Sequence, residues 1–141
     1  MSIATVATLR HMEEHCPFCE VSDERVLDRE GPCAAIADGY PVSEGHTLII
    51  PLRHVSSFQD MSPDEWQAAF QLIRRRTAAL QKEDSSVAGF NIGINDGAEA
   101  GQTIFHAHIH VIPRRKGDVP NPRGGVRHII PCKGNYPVEK D

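Results

Sequence analysis

Three histidines alternate with apolar residues in His106-Ala107-His108-Ile109-His110-Val111-Ile112. Strict alternation is the period of a β-strand and fits no helix. Side chains of a strand point alternately to opposite faces, so the three imidazoles share one face. Phe105, Ala107, Ile109 and Val111 share the other, where a core would take them. At a rise of roughly 3.3 Å per residue, neighbouring imidazoles stand about 7 Å apart. A β-face offers no packing reason to choose imidazole over valine or threonine three times. Two chemistries suit such a row. One is zinc chelation by the H-x-H pairs. The other is nucleophilic catalysis, in which a neutral ring nitrogen attacks an electrophile while its neighbours handle charge and protons. Three nitrogens on one straight strand converge poorly within roughly 2.1 Å of a single ion, which favours divided roles.

Cys16 and Cys19 form a second candidate, C-P-F-C. A thioredoxin-like redox site needs a strand just before the motif, and Arg10-His11-Met12-Glu13-Glu14-His15 is polar and strand-poor. A metal site needs partners elsewhere, and the chain holds eight histidines. With four cysteines in all, unevenly placed, a disulfide scaffold is excluded; Cys33 and Cys132 read as free thiols.

The elements that must carry these groups are short. Cys33–Ala37 reads as a strand ended by Asp38-Gly39-Tyr40-Pro41, and His46–Ile50 as a second, stopped by Pro51. Ser62-Pro63-Asp64-Glu65 supplies an N-cap serine, a proline at the first helical position and a capping-box glutamate. The helix it opens covers about 63–83. Its apolar stripe runs through Trp66, Phe70, Ile73, Thr77 and Leu80. Arg74-Arg75-Arg76 spans about 200° of it and reads as a mostly solvated face. Ala88–Ile94 reads as a third strand, joined by a short loop, Asn95 to Gly101, to the histidine strand, which favours an antiparallel pair. The apolar piece Val126–Ile130 is a candidate for a further strand. The expected fold is α+β: about five antiparallel strands, one main helix and a short N-terminal helical segment. The expected organisation is a single domain over 1–141, with a flexible lead-in at 1–14 and an irregular C-terminal segment at 114–141.

Across 141 residues the hydrophobic fraction is 40% and the charged fraction 24%, values of an ordinary globular chain. A net charge of −4 argues against general affinity for nucleic acid or an anionic membrane. No apolar run approaches the roughly 20 residues needed to span a bilayer. The opening residues make a poor signal peptide, so a cytoplasmic location is expected.

Taken together the motifs resemble the histidine triad (HIT) superfamily of nucleotide hydrolases and transferases. His-φ-His-φ-His-φ-φ after Gly101-Gln102-Thr103 is similar to its signature. Gly45-His46-Thr47-Leu48-Ile49-Ile50-Pro51-Leu52-Arg53-His54 resembles its second-strand segment, and Asn95-Asp96-Gly97 its following loop. Pro113-Arg114-Arg115-Lys116-Gly117-Asp118 looks like the continuation in its dinucleoside-polyphosphate hydrolase branch.

The resemblance implies that His108 attacks a nucleotide α-phosphorus to form a nucleotidyl-histidine, which water then hydrolyses. His110 and His46 would flank the phosphate oxygens, where imidazolium N–H groups could offset charge. Gln102 and Thr103 would bond phosphate oxygens or the leaving group, Asn95 would bind near ribose and phosphate, and Asp38 would accept from ribose hydroxyls. Turn chemistry explains Asp38 as well. Ile36 and Leu48 would wall the base or simply fill core. Arg114, Arg115 and Lys116 would steer polyphosphate or merely solvate a strand end.

The resemblance further implies a structural zinc on Cys16, Cys19, His54 and His106, and a homodimer. The expected substrates are dinucleoside polyphosphates or nucleoside phosphoramidates. The alternatives are a transferase or phosphorylase with phosphate as acceptor, or a regulatory nucleotide-binding module with little turnover. Uridylyltransferase-like relatives carry glutamine at the third triad position, so His110 favours the hydrolase branch.

Overall fold

The structure, a computed structural model, describes residues 15–137. The lead-in at 1–14, with its expected helical segment, lies outside them. Five strands form one antiparallel sheet: β1 (Val26–Glu30), β2 (Cys33–Ala37), β3 (Thr47–Pro51), β4 (Val87–Gly93) and β5 (Ile109–Arg115), in the order β1-β2-β3-β5-β4. Among the described residues one long helix, α1 (Pro63–Glu83), covers one face.

The fifth strand is β1, not the apolar piece near the C-terminus. Val126–Ile130 falls on a 3-10 turn over Gly125–Ile129 with Val126, Ile129 and Ile130 exposed. Apolar content without a sheet edge to pair with does not make a strand. β1 carries Asp28, Arg29 and Glu30, and such charge is how edge strands stay unpaired on their outer side.

The capping box is present in full: Ser62 Oγ accepts from Glu65 N–H at 3.1 Å and Glu65 Oε1 accepts from Ser62 N–H at 2.8 Å. The buried helix face differs from the expected stripe. Ala68, Ala69, Leu72 and Leu80 are buried, whereas Phe70 is 57% exposed and Trp66 lies at the rim against Phe58. Small alanines let the helix lie close to the sheet, which turns the bulky residues outward. The three arginines are not simply solvated either. Arg75 donates to Asp28, Glu30 and the Arg29 carbonyl of β1, and Arg76 donates to Thr47 Oγ1 of β3. Those bonds clamp the helix across three strands' width of sheet.

The sheet has an apolar cluster on each face. Beneath α1 lie Cys33, Ala35, Ile49, Ala107, Ile109 and Val111, packed against Ala68, Ala69 and Leu72 of the helix. On the opposite face Cys16, Phe18, Ala34, Ile36, Leu48 and Ile50 pack together. Ile36 and Leu48 are thus core residues covered by the Cys16–Phe18 segment. Phe105, assigned to the core by alternation, is half exposed.

Candidate active site and metal centre

β5 begins only at Ile109, so His106 and His108 lie in its extended approach, tied down by Ala107 N–H donating to the Val55 carbonyl at 2.7 Å. The alternation survives, with Ala107, Ile109 and Val111 in the α1-side core. His106 is fully buried, His108 is 9% exposed, and His110 is partly covered.

Hydrogen-bond partners set the tautomer of each ring. His108 Nδ1 lies 2.8 Å from the His106 carbonyl, and a carbonyl only accepts, so Nδ1 carries the proton and Nε2 keeps its lone pair. His106 Nε2 lies 2.7 Å from the Pro51 carbonyl, so in that ring Nε2 is protonated and Nδ1 is free. His46 Nδ1 accepts from Val42 N–H at 3.2 Å, which puts its proton on Nε2. That Nε2–H lies 2.9 Å from His110 Nδ1 and 3.3 Å from Asp38 Oδ2. His110 therefore accepts at Nδ1 and holds its proton at Nε2. Asp38, His46 and His110 could in principle hold a metal ion. His46, however, presents them with a proton and not a lone pair, so a hydrogen-bonded chain fits this set better.

Burial, then the neighbouring His108 and His46, pushes His110 down to about 4, against the opposing pull of Asp38. Burial also lowers His46, again opposed by Asp38. Both rings are neutral near pH 7, so the N–H groups they offer belong to imidazole, not to the imidazolium expected from sequence.

The loop between β2 and β3 holds Asp38 and His46. Asp38 N–H donates to the His46 carbonyl, and Asp38 Oδ1 accepts from Tyr40 N–H at 2.7 Å, so its turn chemistry is real. Gly45 has φ +92°, and a Cβ there would lie 2.7 Å from Leu80, which explains glycine before the histidine. Arg115 pins the same loop, donating to Ser43 Oγ, the Glu44 carbonyl, Ser86 Oγ and Asp84. Arg114 forms a two-pronged pair with Asp118 and reaches Asn91. Both arginines are spent on structure; Lys116 alone of that trio is exposed without such bonds among the described residues.

Gln102 is 5% exposed, and its amide is occupied. Oε1 accepts from Gly97 N–H at 2.8 Å, while Nε2 donates to the Ser56 and Ile104 carbonyls. It braces the loop before the triad around a 3-10 turn at Ala98–Ala100, closed by Gly101 at φ +89°. Asp96, not singled out from sequence, anchors that loop through Ser57 and Gln59. Asn95 and Thr103 make no side-chain hydrogen bond among the described residues.

Cys16, Cys19, His54 and His106 come together, with ligand atoms all within 4.8 Å of one another. His106 Nδ1 lies 3.5 Å from both sulfurs, and His54 Nδ1 lies 3.2 Å from Cys19 Sγ. Ligands of a tetrahedral zinc at usual bond lengths have sulfur and nitrogen roughly 3.6 Å apart. The free lone pair of His106 faces the sulfurs because Pro51 holds its other nitrogen, the orientation a metal-ligating histidine needs. The four residues fit a zinc ion.

Phe18 carried no role in the sequence reading. Its ring packs edge-on against His108 at 5.1 Å between centroids and against His106 at 5.9 Å. The only signal for it was its position inside the C-x-x-C interval.

Comparison with known proteins gives concordant results. The family model described as HIT domain matches residues 20–117. The asymmetrical bis(5'-nucleosyl)-tetraphosphatase of Schizosaccharomyces pombe is 42% identical over 94 residues, covering 67% of this chain and 51% of that protein. The adenylylsulfatase HINT3 of Arabidopsis thaliana is 36% identical, covering 76% of this chain and 56% of its own. The chain thus spans about half the length of these two relatives. Among solved structures, a zinc-bound histidine triad family protein from Mycobacterium smegmatis aligns with a TM-score of 0.66 at 34% identity, covering 74% of this chain and 78% of that one.

Proposed function

The chain belongs to the HIT family, and from that premise we propose that it hydrolyses nucleotides at the α-phosphate, with His108 as nucleophile. The observation that carries this reading is the 2.8 Å bond from His108 Nδ1–H to the His106 carbonyl, which leaves the Nε2 lone pair free to attack. That lone pair forms a bond to the α-phosphorus as the bond to the leaving polyphosphate oxygen or amine nitrogen breaks, and the leaving group departs with the electron pair. Water then attacks the phosphorus, the P–N bond breaks, and a nucleoside monophosphate and free His108 result.

His110, protonated at Nε2, offers a neutral donor to the charge that develops on phosphate oxygen, and the His46–Asp38 chain holds that tautomer. Asp38 retains lone pairs for ribose hydroxyls; Asn95 and Thr103 have free polar groups for ribose and phosphate. Gln102 serves through the loop it braces. The proposed substrates are dinucleoside polyphosphates or nucleoside phosphoramidates. The tetraphosphatase relative supports the first class.

We also assign a structural zinc to Cys16, Cys19, His54 and His106. Such a Cys₂His₂ set has no open position, and the ion would supply a cross-link, not chemistry. A single domain and a homodimer complete the proposal.

The test is product analysis with diadenosine tetraphosphate and adenosine phosphoramidate, with and without added phosphate. Release of AMP in the wild type, abolished in His108→Ala with nucleotide binding retained, is expected. Turnover unchanged in His108→Ala overturns the mechanism, and a nucleoside diphosphate formed only with added phosphate makes the protein a phosphorylase.

A further inference from the structure

We infer that Arg25 is a positioning residue for ribose recognition, holding the end of β2 so that the Asp38 carboxylate meets the hydroxyls of a bound nucleotide. This rests on the assignment of Asp38 to ribose just given. Asp38 follows Ala37, the last residue of β2. On one side the strand end is tied toward β3, with Asp38 N–H donating to the His46 carbonyl at 3.1 Å. Backbone groups of successive strand residues point to opposite neighbours, so the Ala37 carbonyl faces β1. There the backbone offers it no donor. The ladder begins at Val26, opposite Ile36, and the Arg25 N–H is turned onto the Ser22 carbonyl at 3.0 Å.

The Arg25 side chain fills that gap. Its Nε and Nη2 donate to the Ala37 carbonyl at 3.2 and 2.9 Å. The fork thus extends the ladder by one residue where the backbone has left it. Gly39, on the other side of Asp38, lies against the same guanidinium: a Cβ there would stand 3.7 Å from Nη2. Asp23 and Glu24 precede Arg25, yet among the described residues its side chain bonds the strand end and no carboxylate. Asp38 itself accepts from Tyr40 N–H at Oδ1 and lies 3.3 Å from His46 Nε2 at Oδ2, both within the loop it opens. Those contacts travel with the loop. Arg115 pins the loop's far end, at Ser43 and Glu44, and Arg25 pins its near end. A ribose diol presents two O–H groups to one carboxylate, which rewards a single alignment.

A hydrogen bond to a charged acceptor sustains a preference of roughly 10- to 100-fold, and misalignment forfeits part of it. The probes are AMP and its dideoxy analogue, which lacks both ribose hydroxyls, titrated calorimetrically into the zinc-loaded protein. The wild type should prefer AMP, and Asp38→Ala should abolish the preference. Arg25→Leu keeps an aliphatic side chain but neither donor. It should weaken AMP binding by roughly 3- to 10-fold and leave the dideoxy analogue within twofold. Equal weakening of both ligands overturns the inference and makes Arg25 a general brace of the fold. A full preference for AMP in Arg25→Leu also overturns it, while Asp38 keeps its role. A wild type indifferent to the hydroxyls removes Asp38 from ribose recognition, and the role of Arg25 falls with it.

Discussion

Buried neutral histidine makes a fold sensitive to acid, and His110 is where this protein should show it most. Its pKa in the folded chain is pushed down to about 4, chiefly by burial. In the unfolded chain it returns to about 6.5. Between those values the unfolded state binds the proton that the folded state refuses. Stability is therefore intact above about pH 6.5, falls as the pH drops through the window, and levels off below about pH 4. At about 1.4 kcal/mol per pH unit, the window is worth about 3 kcal/mol at most. Against a typical total of about 5–15 kcal/mol, that is a large share. It corresponds to a drop in Tm of about 10 °C for a chain of this size.

The measurement is urea unfolding of the wild type and His110→Gln at steps from pH 7.5 to 4, by circular dichroism, in zinc and again in chelator. Glutamine cannot titrate, and acid loss of metal affects both proteins alike, so the difference isolates His110 together with its partner His46. His106 is also lowered by burial and adds to the acid slope of both proteins. The wild type should lose about 3 kcal/mol relative to the variant on going to pH 4. A difference constant within about 0.5 kcal/mol would refute the reasoning, because His110 would then be protonating inside the folded protein at little cost.

Two further outcomes follow from the same structure. Glu65→Ala removes a capping box worth about 1 kcal/mol and a hydrogen bond to the half-exposed Arg53 worth about 1–2 kcal/mol. It also removes the partnerless buried Oε2, so a net loss of about 2 kcal/mol is expected in urea unfolding; less than about 0.5 would remove Glu65 from the helix-start account. Cys16→Ser should lower bound zinc, measured by atomic emission on dialysed protein, from one equivalent to well below half. Stoichiometric zinc in that variant would count against the ligand set.

Much of the fold was readable because its signals are local. Ser62-Pro63-Asp64-Glu65 specifies a helix start within four residues, and the alternation at 106–112 needs no partner to be seen. The misreadings concern features decided at a distance. Three of the five residues of β1 are charged, and it becomes a strand through pairing with β2 and through Arg75, which lies 45 residues away from Glu30 in sequence. Trp66 and Phe70 satisfied the helical period but lost the buried face to Ala68 and Ala69, since close approach to a sheet rewards small side chains over large ones.

The same distinction runs through the site. Three histidines two residues apart are chemically identical in the sequence, and nothing local says which nitrogen of each is protonated. The Pro51 carbonyl, from β3, leaves His106 with a free Nδ1 that faces two sulfurs. The His106 carbonyl turns His108 into a ring with a free Nε2. The Val42 N–H, acting through His46, turns His110 into an Nε2–H donor. The first two assignments come directly from a backbone group, and the third reaches His110 through the His46 ring. Substitutions that spare all three imidazoles but shift β3 or the loop before it should therefore change which nitrogen of His106 and His110 carries the proton, while His108, held by the His106 carbonyl, keeps its own tautomer. Which nitrogen of each triad histidine is free is thus decided by its surroundings and not by the triad sequence itself.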